Sequence, residues 1–470
     1  MRFCPIYILA CALALPLCAA TTNALLTQSS LSLEESIEYA VRHNVQILKS
    51  REEIRRNYGV IIETRGELLP HLRGTGLWSR REPQTTEFFS NVNSLDTVLR
   101  LTQVLYAGGA ILGSTKSAYL NREAAVLGFE RVVADTILAV RIRFYEILFN
   151  EQLIKVREAS VHLLEEQLDT TKRRFEAGTV PKFDVLRAEV ELANARPPLI
   201  EARNDVRIAK LRLGNLLALN ASPSEVESFP YVLVGELKYE AYNPDLPACL
   251  TMAMERRTEI KELEKRAEAR RQDLHAAYAG YKPRIQLYGQ FEARNPQLGE
   301  RVVNDNGTPF NTADDTVKQG STVSLDPSIH GYSVGVEFNW DIFDGFSTHG
   351  RVVQSRALYD AAKLDYEDKK RDVSLDVRQS YSKLQEARET LESQLKAVEQ
   401  GEESLRLSQA RFNVGAGTQL DMLSAQTALT AARTNYAQAL YNWNIAVATL
   451  ERAMGFSTRV ASLDELRKKN

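Results

Sequence analysis

Two stretches of this chain are copies of one another. Residues 174–196 (RFEAGTVPKFDVLRAEVELANAR) and 411–433 (RFNVGAGTQLDMLSAQTALTAAR) align without a gap at a spacing of 237 positions. Nine of the 23 aligned residues are identical, among them an Arg-Phe pair, the Gly three residues on and an Asp-x-Leu. A duplication of this length means that one structural unit is built twice. Any element assigned in one half must therefore have a counterpart in the other.

The copies can be followed from their beginnings. Ser32-Leu-Glu-Glu35 is a capping box, and apolar spacing through Ile37, Ala40, Val41, Val45, Ile47 and Leu48 predicts a helix continuing towards Pro70. The segment returns at Ala253 to Pro283 with an offset of 213, Ala40 matching Ala253, Ile47 matching Ile260 and Pro70 matching Pro283. After each Pro the period falls to two. Ile285, Leu287, Gly289 and Phe291 alternate with Gln286, Tyr288 and Gln290. Tyr332, Val334, Val336, Phe338 and Trp340 alternate with Ser333, Gly335, Glu337 and Asn339. These are strands with one apolar and one polar face; weaker equivalents lie near Leu72 to Ser79 and Asp96 to Leu105. Each copy thus carries one strand pair, about 70–106 and about 283–343. A short loop (about 80–95) joins the first pair. A longer polar loop (about 293–331) joins the second, and its extra residues account for the offset growing from 213 to 237.

Two Pro-free stretches of 69 residues follow, 109–177 and 346–414. Apolar residues recur at every seventh position, Val140, Ile147, Ile154, Val161, Leu168 and Phe175 in one and Val377, Leu384, Leu391, Val398, Leu405 and Phe412 in the other. Such stripes predict helices packed side by side in coiled-coil fashion, each roughly 100 Å long. Both stop at a Gly, in Gly178-Thr-Val-Pro181 and Gly415-Ala-Gly-Thr418, and return helices are expected over 181–219 and 418–455. Pro197-Pro198 predicts a break or kink in the first. The expected organisation is a first repeat over 25–220, an irregular Pro-rich linker over 221–246, a second repeat over 247–456 and a tail over 457–470.

The N-terminus differs in character. Arg2, a mainly apolar run from Phe3 to Leu17 and small residues after Cys18 describe a signal peptide over 1–24, with lipidation at Cys11 as the alternative. Three of the four cysteines lie there, and Cys249 alone cannot make an internal disulfide or a Cys-only metal site. A net charge of −2 gives no reason to expect nucleic acid as a partner. No later run approaches a membrane-spanning helix.

Four strands per chain cannot close a membrane barrel, since natural barrels start at eight, and an open sheet leaves unsatisfied edges in lipid. A trimer supplies twelve. At this point the sequence resembles the TolC family of outer-membrane efflux proteins. The likeness is carried by Ser32 to Asn44, the Leu-Leu-Pro70 before the first strand, Gln103-Val-Leu-Tyr-Ala-Gly108, the two Arg-Phe-x-x-Gly-x5-Asp-x-Leu turns and Asn435 to Tyr441. The resemblance implies a mainly α fold with a small β part. It implies a homotrimer whose 12-stranded outer-membrane β-barrel continues into a long periplasmic α-helical barrel. It also implies the exit duct of a tripartite efflux pump or type I secretion system in a Gram-negative outer membrane, docked to a periplasmic adaptor and an inner-membrane transporter.

The resemblance further implies that Asp184 and Asp421 ring a narrow periplasmic aperture, and that the turns at Gly178, Thr179, Gly415 and Gly417 dock the adaptor. Read from the residues alone, both Asp positions suit helix first turns, and Thr418-x-x-Asp421 has capping-box spacing. Tyr332, Val334, Val336, Phe338 and Trp340 form the strand face expected to meet outer-membrane lipid. Some members close the tip with a Tyr, an Arg and a second Asp; the matching positions here are Phe412, Gly417 and Ser424, so that latch is absent. No nucleotide loop, hydrolase elbow or zinc motif occurs, so no cofactor, metal or catalytic residue is expected. A soluble periplasmic coiled-coil adaptor or scaffold is the alternative.

Overall fold

The computed structural model describes residues 30–80, 91–219, 231–298, 300–304, 316–320 and 329–456. The expected signal peptide and C-terminal tail lie outside them. In chain order the first copy contains β1 (Ser30–Leu31), α1 (Leu33–His43), α2 (Val45–Gly66), β2 (His71–Arg80), β3 (Asn91–Ala107), α3 (Ala110–Glu176) and α4 (Lys182–Leu216). Then follow β4 (Val232–Leu233), α5 (Leu246–Arg256), α6 (Thr258–Ala277), β5 (Arg284–Leu298), β6 (Glu300–Asn304), β7 (Thr316–Gly320), β8 (Ile329–Asn339), α7 (Ser347–Asn413) and α8 (Gln419–Ala453).

The capping box is complete: Glu35 N–H donates to Ser32 Oγ and Ser32 N–H to the Glu35 carboxylate. The helix expected to continue towards Pro70 is instead two helices. Asn44 ends α1 by donating its N–H to the Ala40 carbonyl. It starts α2 by accepting from Gln46 and Ile47, and its side-chain amide reaches the Leu216 carbonyl at 2.8 Å. The second copy divides at Arg257, whose N–H likewise meets Ala253. Apolar spacing runs through both breaks, so periodicity does not reveal them.

A four-stranded antiparallel sheet runs β2-β3-β5-β8, with β2 and β8 as its edges. Within the expected polar loop over 293–331 the described residues are strand: β5 extends to Leu298, and β6 pairs antiparallel with β7. The β-branched residues Val302, Val303, Thr316 and Val317 were masked there by a polar average composition.

α3 and α7 are each 67 residues, about 100 Å at 1.5 Å per residue. Near the sheet they lie with α2 and α6 in the order α2-α3-α6-α7; beyond, the order is α4-α3-α8-α7. The main core sits between these halves. Val140, Phe144 and Ile147 of α3, Val377, Leu384 and Leu391 of α7, Trp443 and Leu450 of α8 with Met454 just after it, and Leu213 and Leu217 at the end of α4 all contribute. Burying each such side chain stabilises the fold by about 1.5–3 kcal/mol relative to exposure. The heptad stripe of α3 fades from that core towards the tip, where Phe175 is exposed.

Pro197-Pro198 was expected to break the first return helix, yet α4 is one helix across both. Two N–H donors are lost, at about 3 kcal/mol or more for a Pro in a helix interior. Leu192, Leu199 and Ala202, buried on either side, hold the helix in place. The described part of the linker is also more ordered than its composition suggests. β4 pairs parallel with β1, Leu233 and Leu237 enter the core, and the Tyr239 ring lies 5.1 Å from that of Trp443. Asn243 accepts from Arg388 at 3.1 Å. The segment is a strap drawn across α7 and α8.

Candidate functional site

The tips of the two hairpins are built alike. After α3, Gly178 takes φ 74°. Its N–H donates to the Phe175 carbonyl at 2.9 Å and that of Thr179 to Arg174 at 2.9 Å, a Schellman turn. The Thr179 hydroxyl donates to Arg174 as well. After α7, Gly415 takes φ 75°, with Gly415 N–H on Phe412 and Ala416 N–H on Arg411. A Cβ added to Gly178 or Gly415 would meet nothing within 4 Å; glycine serves only the left-handed backbone there. At Gly417 the reason is space, since an added Cβ would lie 3.0 Å from Arg411 Cβ and 3.2 Å from Phe412 N.

Asp184 is partly buried in the first turn of α4. Asp421 is exposed and closes the Thr418 capping box: Thr418 Oγ1 and N–H donate to Oδ2 at 2.8 and 3.1 Å, and Asp421 N–H returns to Thr418 Oγ1. Those bonds, the hydroxyl first, hold the Asp421 carboxyl below its ordinary range. Both Asp sit where helix dipoles favour negative charge.

Gln419 is the tip residue that the sequence did not single out. It is buried, and its Nε2 donates to Thr171 Oγ1 at 3.5 Å and to the Asp184 carbonyl at 3.4 Å, joining the two hairpins. Its Oε1 is buried without a partner. As the first residue of a helix it resembled a solvated polar position, and only the inter-hairpin packing buries it. Phe412, one of the substituted latch positions, carries the Arg174 guanidinium 4.5 Å over its ring. Ser424 is exposed. Further along the same seam Gln426 donates to the Ser160 carbonyl at 3.3 Å and Thr430 to Ser160 Oγ. These polar links lie beside two apolar clusters of the same seam, one with Leu164 of α3 and Leu423 of α8, the other with Met422 of α8 and the partly buried Leu163 of α3.

At the other end the sheet has two chemically distinct faces. Tyr332, Val334, Val336 and Phe338 on β8 face Phe291, Gly289, Leu287 and Ile285 across the ladder and are exposed. Leu101 and Leu99 on β3, and Leu72 and Trp78 on β2, share that face. The opposite face carries Arg73, Asp96, Arg100, Gln286, Gln290, Glu292 and Glu337. Arg100 pairs with Glu337 at 2.7 Å, and Gln286 donates to the same carboxylate. Trp340, expected within the strand, lies just beyond β8, its Nε1 donating to the Tyr281 carbonyl at 3.2 Å.

Between sheet and tip lies an ion-pair network. Arg257, 7% exposed, donates to Glu259 at 3.1 Å and to Asp376 at 2.8 Å. Arg452 donates to the other Glu259 oxygen at 2.5 Å and pairs with Asp135 at 2.6 Å. Four helices, α3, α6, α7 and α8, meet through it at the break before α6. Among the described residues no His, Cys, Asp and Glu cluster could hold a metal ion, and no helix is long and apolar enough to cross a membrane.

A family model for outer membrane efflux proteins matches residues 37–219 and 249–456. The chain is similar to outer membrane protein TolC of Escherichia coli (strain K12), 23% identical over 441 residues, covering 91% of this chain and 83% of that protein. It is also similar to the cobalt-zinc-cadmium resistance protein CzcC of Cupriavidus metallidurans, 23% identical over 427 residues and 90% of each chain. Its fold matches the crystal structure of the Campylobacter jejuni CmeC outer membrane channel with a TM-score of 0.75 at 13% identity, over 93% of this chain and 89% of that one.

Proposed function

We infer the role of this chain from the premise that it belongs to the outer membrane efflux protein family. The protein is the outer-membrane channel of a tripartite efflux pump or type I secretion system, located in the outer membrane of a Gram-negative bacterium and reaching into the periplasm. Three copies close a twelve-stranded barrel in the outer membrane, and their helices continue it as a periplasmic duct. The observation that carries this reading is one sheet with an apolar and a charged face and two unpaired edges, attached to helices of about 100 Å. Joining the edges of several copies satisfies them, turns the apolar face to lipid and the charged face to a water-filled lumen.

Tyr332, Val334, Val336, Phe338 and Trp340 meet lipid. Asp184 and Asp421 line the periplasmic aperture, where three copies place six carboxylates that favour cations. The turns at Gly178, Thr179, Gly415 and Gly417 meet a periplasmic adaptor, through which an inner-membrane transporter delivers cargo. The duct performs no covalent chemistry.

Single-channel recording in planar bilayers tests this, with the mature protein beside an Asp184→Ala/Asp421→Ala variant. Stable, cation-selective conductance that loses selectivity in the variant is expected. Selectivity unchanged in the variant would reduce both residues to helix-end charges. A folded protein that needs no detergent and gives no conductance would return the adaptor reading.

A further inference from the structure

The two copies leave the sheet through matching turns, Leu105-Tyr-Ala-Gly-Gly109 into α3 and Ile342-Phe-Asp-Gly-Phe346 into α7. At the repeat offset of 237 Gly345 matches Gly108, and both take φ 64°. The next residue is the last before the helix in each copy. It is Gly109 (φ 97°) in the first and Phe346 (φ 65°) in the second. A left-handed backbone suits glycine and crowds any residue with a Cβ. The second copy thus holds a bulky Phe in a conformation for which the first uses Gly.

Burial within the chain does not offset that strain. Phe346 is 72% exposed and lies edge-on to Phe343, ring centroids 5.5 Å apart. Phe343 is itself 75% exposed and Ile342 84%. The turn is nonetheless fixed at both ends. Trp340 Nε1 donates to the Tyr281 carbonyl, and Asp344 accepts from the Thr348 N–H at 2.7 Å. Thr348 is buried over Gly280, where an added Cβ would lie 2.6 Å from its Oγ1. Three apolar side chains are therefore presented to the outside on a rigid turn.

The first copy shows that a neighbouring protein surface does not cover them. Its turn has a neighbour on each side within the chain. On one side Gln103 Nε2 donates to the Leu68 carbonyl at 2.7 Å. On the other Gly108 abuts Ala279, an added Cβ lying 2.7 Å from that carbonyl oxygen. Even so Leu105 and Tyr106, the counterparts of Ile342 and Phe343, stay 59% and 43% exposed. A Cβ added to Gly109, the counterpart of Phe346, would meet nothing within 4 Å. What covers the second turn therefore lies outside the protein.

Ile342 continues the two-residue spacing of Tyr332 to Trp340 from the apolar face of β8, at the end of the sheet where the long helices begin. We propose that Ile342, Phe343 and Phe346 form a wedge seated in the phospholipid of the periplasmic leaflet, fixing the depth at which the barrel passes into the helical duct. Interfacial segments bury aromatic and aliphatic side chains about 5–10 Å into the boundary between headgroups and acyl chains. Asp341 and Asp344 stay at headgroup level, where like charge disfavours anionic lipid and leaves zwitterionic phospholipid as the partner. The proposal rests on the outer-membrane reading above and extends the lipid contact from the strand face to the turn beyond it.

Spin labelling tests the wedge in the mature full-length protein carrying Cys249→Ala, reconstituted in vesicles of phosphatidylethanolamine and phosphatidylcholine. Single labels go on Ile342→Cys and Phe343→Cys, with Val334→Cys as the strand-face reference and Ser424→Cys at the tip as the aqueous one. Each label is relaxed by oxygen, which concentrates in lipid, and by a water-soluble nickel chelate. The oxygen-to-nickel collision ratio at 342 and 343 is expected to be several-fold above that at 424. A ratio equal to that at 424 overturns the wedge. A label that neither agent reaches also overturns it, because protein then covers the turn. If the Val334 label itself fails to favour oxygen, the membrane reading falls with it. Phe346→Gly separates anchoring from folding. It relieves the left-handed strain, so the unfolding temperature in detergent should hold or rise, while the ratio at the Ile342 label falls and Phe346→Trp keeps it. A ring packed inside the fold would instead lose stability on truncation. A lowered unfolding temperature in Phe346→Gly, or an unchanged ratio at Ile342, overturns the anchoring role.

Discussion

Replacing Glu259 by Gln probes the ion-pair network between sheet and tip. The Glu259 side chain is 8% exposed, and its two oxygens each take one guanidinium, Arg257 at 3.1 Å and Arg452 at 2.5 Å. Removing one partner of a buried pair costs about 3–5 kcal/mol, because the remaining charge stays desolvated. Here each arginine keeps a second, half-exposed carboxylate, Asp376 or Asp135, and Gln retains an acceptor. A local loss of about 2–3 kcal/mol follows, or roughly 30- to 150-fold faster amide exchange at about 1.36 kcal/mol per decade. Hydrogen exchange with mass spectrometry should find that acceleration at the α5–α6 break and the end of α8, and not at the tips. The pH dependence supplies a sign. Burial alone would raise the Glu259 carboxyl, but Arg452 and Arg257 outweigh it and the folded pKa is lowered. Its stabilisation is therefore complete above the unfolded value of about 4.3 and is lost as pH falls through the folded value. Parent and variant should differ most at neutral pH and converge in acid. Equal exchange at pH 7, or a gap that widens in acid, would refute the reasoning.

The two copies end their return helices with the same turn, but Ala218 (φ 55°) stands where the second copy has Gly455 (φ 78°). Ala218→Gly should raise thermal stability by about 0.5–1 kcal/mol, the left-handed penalty less the entropy of glycine. Gly455→Ala should cost about 2 kcal/mol or more, since its Cβ would also lie 3.0 Å from Arg256 Cβ; equal and opposite shifts in melting midpoint would contradict this. Gln419→Met removes a buried, partnerless oxygen that costs about 1–3 kcal/mol, so the tips should exchange no faster than in the parent. The Asp421 carboxyl is lowered by its Thr418 bonds, so cation selectivity in bilayers should persist as pH falls through about 4, where ordinary carboxylates titrate. Selectivity lost near pH 5 would assign the effect to other groups.

Much of this fold is legible in the sequence where one local rule dominates. Sixty-nine residues without Pro leave little but a helix, and α3 and α7 fill those stretches to within two residues of either end. Strict alternation at Tyr332 to Phe338 marks an amphipathic strand in the same way. The misses share a cause, since each depends on what packs against the segment. Asn44 and Arg257 interrupt helices whose apolar spacing is unbroken, because partners such as Leu216 and Arg452 reward the break. Pro197 and Pro198 lie within α4 because buried neighbours hold it. At the tips, the positive φ of Gly178 and Gly415 follows from a helix-stop signal. The burial of Gln419 does not, because Thr171 and Asp184 lie more than two hundred residues away in sequence.

The fading stripe along α3 has a mechanical consequence. Val140 and Ile147 are fully buried where the strap and the ion-pair network hold the helices, whereas Phe175, five heptads past Val140, is exposed. The chain is therefore a cantilever, clamped near its middle, with a free arm of roughly 54 Å from Val140 to Glu176. A rotation of about 5° at the clamp displaces the end of such an arm by about 5 Å, close to one helical pitch. A small repacking around Trp443 thus shifts Gly178 and Gly415 by several ångströms without breaking a hydrogen bond in the arm.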